Sequence, residues 1–435
     1  TGIYAKDYDT KDVKNSNTGI IEINGSQSSA MAFVPKNLTA TTTVFENEGK
    51  ILDNNSGSNN TGMFAKVAAN NVLYTTKNTG TITLGDSSAL SNPSVGMYTN
   101  ASSTGTNPLI NTGKISVGNS GIGMYGFEED TTGDITAGNT GIGIYSQGGD
   151  VNIGSTGSST TPKITVGDTN ATAVFTTGSG QTITSTNADY NIGDNSYGFV
   201  NVGTGNTLNI SGGSATLTDN GVFIYSNDTT GNITNSTKIT STGSKGYNYG
   251  VFSAGTVSNS GDITLTNGVG NVGVYAANNG NITNSGNITL GASTSADRSV
   301  GAIANVGTVN NTGKITVNGQ YGIGAYSSGS GSTINNSGDI TLTGDETIGA
   351  YGANGSNINL NSGTVALTGN KSTGYYLDAG TGSTIASGAK VDVTGEESNG
   401  VYANNGSSLT YDGDTTVAGD AAYGLIADGG STVNA

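Results

Sequence analysis

Among 435 residues the chain has no Cys, no His and no Trp. Without Cys there is no disulfide framework, no thiolate zinc site and no cysteine nucleophile. Without His the commonest general base and metal ligand is missing, so the familiar catalytic triads are excluded. Charged residues make up only 11% and hydrophobic residues 33%, well below globular averages, and composition taken alone suggests disorder. No run approaches ~18 consecutive apolar residues, which excludes a transmembrane helix. Positive charge is scarce as well. The 15 Lys plus Arg face 31 Asp plus Glu for a net charge of −16, and Arg298 is the sole guanidinium. Nucleic acid and anionic membranes both call for a basic surface, so neither fits as the main partner.

What the chain has in excess is glycine, 72 residues, and repetition. One column reads Asp262-Ile263-Thr264-Leu265, Asn287-Ile288-Thr289-Leu290, Lys314-Ile315-Thr316-Val317, Asp339-Ile340-Thr341-Leu342, Thr364-Val365-Ala366-Leu367 and Lys390-Val391-Asp392-Val393, at spacings of 25, 27, 25, 25 and 26. A second column, Gly273-Val274-Tyr275 through Gly349-Ala350-Tyr351 to Gly400-Val401-Tyr402, keeps the same period. A third, exemplified by Asn281-Ile282-Thr283 and Thr333-Ile334-Asn335, precedes an Asn-Ser/Thr-Gly corner. Three short strands and three corners per period leave no room for a helix. A fixed period of this length marks a solenoid. The expected fold is all-β, a right-handed parallel β-helix with three strands per coil of about 25 residues, on the order of 17 coils stacked at the ~4.8 Å inter-strand spacing. One continuous segment over residues 1–435 is expected, with irregular loops around 146–214 and 291–299. The absence of a signal segment at the start and the ending inside a repeat read as a piece of a longer protein.

Period-two alternation sends Ile340 and Leu342 inward and Asp339 and Thr341 outward. The same rule applied to Ile348-Gly349-Ala350-Tyr351-Gly352 sends Ile348, Ala350 and Gly352 inward and leaves Tyr351 outside beside Gly349. Tyr275, Tyr326, Tyr351, Tyr376 and Tyr402 then form an outward stripe. It is either a stack in which each ring covers the neighbouring glycine or a docking stripe for a sugar or protein. Asp297 and Arg298, in the long corner 291–299, complete the candidate partner-binding set. At the Asn-Ser/Thr-Gly corners, among them Asn17-Thr18-Gly19, Asn284-Ser285-Gly286 and Asn361-Ser362-Gly363, glycine is expected to supply a positive φ and the asparagines to bond along the stack. Acidic corners such as Gly344-Asp345-Glu346 and Gly395-Glu396-Glu397 suit either a solvated edge or an attraction for Ca²⁺ or a basic partner, but no intact calcium loop is present.

For catalysis, outward Asp262, Lys314 and Asp339 resemble the acid and base groups of polysaccharide-active β-helices. They recur as a repeat column instead of gathering in one cleft, so no catalytic, metal or cofactor-binding residues are assigned. Gly121-Ile122-Gly123-Met124-Tyr125-Gly126 spells a dinucleotide fingerprint but sits inside the strand repeat, where that motif has no meaning. The outward Thr264, Thr289, Thr316 and Thr341 ladder hints at an ice-binding surface, which the interspersed charges and uneven coil lengths oppose.

Repeats of the form Asn-Ser-Gly-Asp/Asn/Lys-Ile-Thr-Leu/Val followed by Gly-Val/Ala-Tyr, in a Cys-free acidic chain, resemble the passenger of a type V autotransporter adhesin, in particular the large fusobacterial outer-membrane adhesins. The resemblance covers essentially the whole chain and implies an extracellular passenger held at the bacterial outer membrane by a C-terminal β-barrel absent here. It further implies attachment to host cells or other bacteria, through surface glycans, a host glycoprotein or an immune receptor. No binding residue carries over from that family. The alternatives kept open are a structural stalk presenting a binding domain elsewhere, and a polysaccharide-active enzyme.

Overall fold

A computed structural model describes residues 2–6, 12–36, 43–53, 59–66, 74–101, 108–156 and 160–435. Among these residues every regular element is a β-strand and there is no helix. Contacts gather into two units, residues 1–215 and 216–435. Each is a β-solenoid built of three parallel sheets, one per column of the repeat, with about 16 coils in the two units taken together.

The first sheet is the tyrosine face, with strands such as Ile122–Gly126 and Ile142–Ser146 in the first unit and Ile323–Ser328 and Ile348–Ala353 in the second. Tyr125 lies opposite Tyr145, and Tyr326 opposite Tyr351. The second is the asparagine face, with strands such as Asn281–Asn284 and Thr308–Asn311. The third is the isoleucine face, where Ile263, Ile288, Ile315 and Ile340 occupy successive positions of one register column. These four are fully buried while the threonines after them stay partly exposed, as alternation requires. β-branched side chains suit this half-buried pleated surface. Burying each is worth about 1.5–3 kcal/mol, so thin layers add up to a core.

Outside the isoleucine face, signs of charge alternate up the stack of the first unit: Lys114, Asp134, Lys163, Asp189. Lys114 Nζ sits 3.8 Å from Asp134 Oδ2, and Asp134 Oδ1 accepts the Lys163 amide at 3.1 Å. Like charges one strand apart would repel, and alternation avoids that. In the second unit Asp262 accepts the Asn287 amide and Asp339 the Thr364 amide, each at 2.9 Å. The outward acids of the repeat therefore satisfy backbone of the next coil.

The asparagine corners form two buried ladders. In the first unit Asn15, Asn47, Asn78 and Asn111 donate each to the next at 2.8 Å, and Asn111 ends on Thr131 Oγ1. In the second, Asn235, Asn259, Asn284, Asn311 and Asn336 link at 2.7–2.8 Å. The second amide hydrogen goes to a local carbonyl, as from Asn284 to Gly286 at 2.8 Å. Two expectations are corrected. Asn17 and Asn361 are exposed, and the ladder positions there belong to Asn15 and Leu360. Nor is the corner glycine chosen for a positive φ, which in the Asn-Ser/Thr-Gly column only Gly363 adopts. A Cβ on Gly286 would lie 2.2 Å from the Gly261 carbonyl oxygen, and one on Gly313 would lie 2.1 Å from that of Gly286. Glycine is required by backbone stacked against backbone.

Asn284→Leu leaves Asn311 Oδ1 and one Asn259 amide hydrogen buried without partners and takes a donor from the Gly286 carbonyl. Each costs about 1–3 kcal/mol. The expected result is a clear fall in the urea midpoint together with lost hydrogen-exchange protection in the flanking coils.

The stretch 146–214 keeps its columns better than the uneven spacing suggests. Strands Lys163–Val166, Thr172–Thr176, Thr182–Thr186 and Tyr197–Asn201 stack in register. The extra residues concentrate in the corner 154–162, of which 157–159 lie outside the described residues.

Candidate binding surface

All five tyrosines of the stripe, Tyr275, Tyr326, Tyr351, Tyr376 and Tyr402, are half-buried on the outer side of the tyrosine face. Four of them form an unbroken ring stack. Tyr326 and Tyr351 have centroids 5.1 Å apart, Tyr351 and Tyr376 4.9 Å, and Tyr376 and Tyr402 5.2 Å with planes only 8° apart. Such pairs contribute about 0.5–1.5 kcal/mol each beyond their buried area. Tyr275 stacks instead on Phe252, at 4.9 Å. Between Tyr275 and Tyr326 the column position is taken by Ile303. Burial pushes the Tyr351 hydroxyl up to about 12, with Asp378 beside it adding to the shift.

Alternation misplaced one neighbour. Ala350 and Gly352 are buried as expected, but Ile348 is only partly so and packs on the outside, in a cluster with Ile323, Ile303, Tyr326 and Tyr351. Gly349 is the cause. A Cβ there would meet Val365 Cγ1 and the Gly374 carbonyl oxygen, both at 2.3 Å, so Gly349 faces the core as Ala350 does. Two consecutive inward residues break the period of two. The rings consequently do not cover the glycine, and the outer face carries an aliphatic column beside an aromatic one.

The corner 291–299 rises beside this face and is held firmly. Ser299 N–H donates to Ser293 Oγ at 2.9 Å, Ser299 Oγ donates to the Ala292 carbonyl at 2.8 Å, and the Asp297 amide donates to Thr294 Oγ1 at 2.9 Å. Arg298 Nη1 donates to the Tyr321 carbonyl at 3.1 Å, and its guanidinium carbon lies 5.8 Å from the centre of the Tyr321 ring. Arg298, Glu346, Ile348, Lys371, Tyr376 and Tyr402 thus line one groove of about 480 Å³. The structure brings Arg298 to the tyrosines but not Asp297. Asp297 turns toward Tyr247, whose hydroxyl it holds above its ordinary value second to burial.

Irregularities gather in this coil. It holds the long corner, the Ile303 break in the aromatic column and Val306, exposed and at φ 51. A left-handed conformation at a β-branched residue costs about 1–2 kcal/mol. Tyr321, Glu346, Lys371 and Glu397 are left-handed too, at φ 52 to 61. The acidic corners show no metal cluster: among the described residues no three carboxylates converge. Asp345 and Asn370 there accept the amides of Asn370 and Glu396, at 2.8 and 2.9 Å.

The first unit repeats the plan. Phe64, Tyr98, Tyr125, Tyr145 and Phe175 form its aromatic column, with centroids 4.8–5.5 Å apart. Val95, Ile122 and Ile142 form the aliphatic column beside it. The corner 85–94 supplies Leu90, Ser91 and Pro93 to a groove of about 490 Å³ over Tyr125, Tyr145 and Phe175. The signal available was the distance from Gly62 to Gly96, 34 positions against the usual 25. No family model matches the chain, and no curated protein matches it.

Proposed function

We propose that the chain is a segment of a bacterial cell-surface adhesin that attaches to host cells or to other bacteria through its grooved tyrosine faces. The observation that carries this reading is the pairing, in both units, of an outward aromatic column with a long corner that walls it. A solenoid made only for length has no need of such a corner, and aromatic rings on a concave, partly apolar surface are what recognition surfaces favour. The partner is a surface glycan, a host glycoprotein or an immune receptor. The place is the bacterial outer surface, as the sequence's likeness to autotransporter passengers suggests. The role is binding, without catalysis. Two grooves on one chain would make attachment multivalent.

A structural stalk is the second reading, and ring-on-ring stacking of Tyr351, Tyr376 and Tyr402 favours it, since a stack stabilises coils with no partner present. The double variant Tyr376→Ser, Tyr402→Ser separates the two. The adhesin reading expects binding of the purified chain to host cells to drop at least ten-fold while its melting temperature moves by a few degrees. Unchanged binding to cells that the parent chain recognises would place recognition elsewhere.

A further inference from the structure

We infer that the groove of the second unit receives a carboxylate-bearing sugar ring, of the sialic- or uronic-acid type, with Arg298 taking the carboxylate. This rests on the adhesin reading and narrows it. The first support is an unspent charge. Acidic residues outnumber basic ones about two to one, yet among the described residues no carboxylate lies within 4 Å of the only guanidinium in the chain. Lys14, Lys77, Lys114, Lys371 and Lys390 have such a partner, while other lysines, such as Lys163, Lys238 and Lys314, share its lack among the described residues; what sets Arg298 apart is that its free charge lines a groove beside aromatic rings. Arg298 spends one N–H on the Tyr321 carbonyl and rests near that ring. Its remaining donors form the planar fork that matches a carboxylate.

The second support is preorganisation. The corner that carries Arg298 is tied by the three short hydrogen bonds of Thr294, Asp297 and Ser299, so little ordering is left for the ligand to impose. The third is the remainder of the wall. Glu346, which among the described residues has no cationic partner within 4 Å, stands in the same groove as an acceptor, and Lys371 is held only loosely, 3.8 Å from Glu397. A dianion such as phosphate or sulfate would meet Glu346 as a repulsive neighbour. A monoanion that also carries hydroxyl donors satisfies both walls. Ile348, Tyr376 and Tyr402 offer an apolar floor for the C–H side of a sugar ring. A volume of about 480 Å³ is that of a small-ligand site. The net charge of −16 opposes anions at long range, but screening confines that field to roughly 8 Å at physiological salt, and the contact at Arg298 is shorter.

The test is binding of the purified full chain to immobilised sialyllactose and to a glucuronate-containing disaccharide, with lactose as the neutral arm and a peptide with a free C-terminal carboxylate as the other carboxylate source. The acidic sugars are expected to bind and to compete with one another, at least ten-fold better than lactose or the peptide. Arg298→Gln is expected to lose ten-fold or more, in line with removal of a charged hydrogen bond, and Arg298→Lys to recover part of it. Both variants should melt with the parent, since the side chain sits in an open groove. Equal binding of lactose, equal binding of the peptide, or an unaffected Arg298→Gln overturns the inference. If the chain still binds host cells in any of those cases, the adhesin reading stands and only the ligand class falls.

Discussion

Gly349→Val is expected to lower stability by about 3 kcal/mol or more, since one of the two groups it would strike is backbone, which cannot yield as a side chain can. The added Cβ alone would lie 2.3 Å from the Gly374 carbonyl oxygen and 2.3 Å from Val365 Cγ1. The column neighbours are as crowded: a Cβ on Gly324 would lie 2.5 Å from the Gly349 carbonyl oxygen, and one on Gly301 2.5 Å from that of Gly324. Accommodation requires two coils to part, which breaks ladder hydrogen bonds on the tyrosine face. The readout is the thermal midpoint with limited proteolysis, and cleavage should appear near residues 348–378. Gly406→Asn is the control. Gly406 has φ +70, but a Cβ there would meet nothing within 4 Å, and Asn405 beside it is already left-handed at φ 55. Only about 1 kcal/mol of backbone strain is at stake there. Equal damage from both variants would mean that φ, and not close approach, decides the glycine columns.

Glu129→Gln is expected to stabilise the chain at neutral and alkaline pH. Glu129 occupies a core column between Leu109 and Val151 on the asparagine face. It has no exposed surface, and neither carboxyl oxygen has a hydrogen-bond partner. Burial drives its carboxyl well above the ordinary 4.5; the nearby Ser146 hydroxyl and Gly126 backbone, neither placed for a well-formed hydrogen bond to it, pull it back only partly, and Glu128 and Asp130 add to the rise. Glu46 is the contrast: nearly as buried, it is paired with Lys14 at 2.8 Å and Lys77 at 3.4 Å. The folded chain keeps a proton on Glu129 that the unfolded chain releases once pH passes the ordinary glutamate range. Its contribution is therefore fullest below that range and declines as pH rises through the elevated folded value, by up to about 1.4 kcal/mol per pH unit. Gln fills the same space without a proton to lose. Urea midpoints of the two proteins should coincide near pH 4 and diverge steadily above pH 5, with the variant higher. A difference that does not depend on pH, or a more stable parent at pH 8, would contradict this account.

The legible part of the fold was its repetition. Because Ile263, Ile288, Ile315 and Ile340 recur at one spacing, the parallel register of the isoleucine face could be written down directly. So could the outward stripe of tyrosines and the long corner carrying Arg298. What escaped were features that depend on neighbours in other coils. Ile348 reads as inward by alternation, and only the clash a side chain would meet at Gly349 turns it out. The burial of Glu129 follows from its alignment with Leu109 and Val151 in neighbouring coils, which nothing within Phe127-Glu128-Glu129-Asp130 discloses. The left-handed Glu346 and Lys371 break no rule visible in a single repeat, since their conformation is imposed by the stack. The first-unit groove is hard to see in the sequence because the one charge of corner 85–94, Asp86, accepts from the Asn119 amide and side chain instead of facing the aromatic column.

The central claim is that the tyrosine faces recognise a cell-surface partner. The most direct measurement is binding of the purified chain to a panel of host and bacterial cells, with and without enzymatic glycan removal, run beside the Tyr376→Ser, Tyr402→Ser variant. Saturable binding by the parent, reduced at least ten-fold in the variant at near-equal stability, is the predicted result. No binding to any cell in the panel, together with a variant that melts far below the parent, would make the aromatic column a structural spine and the chain a stalk.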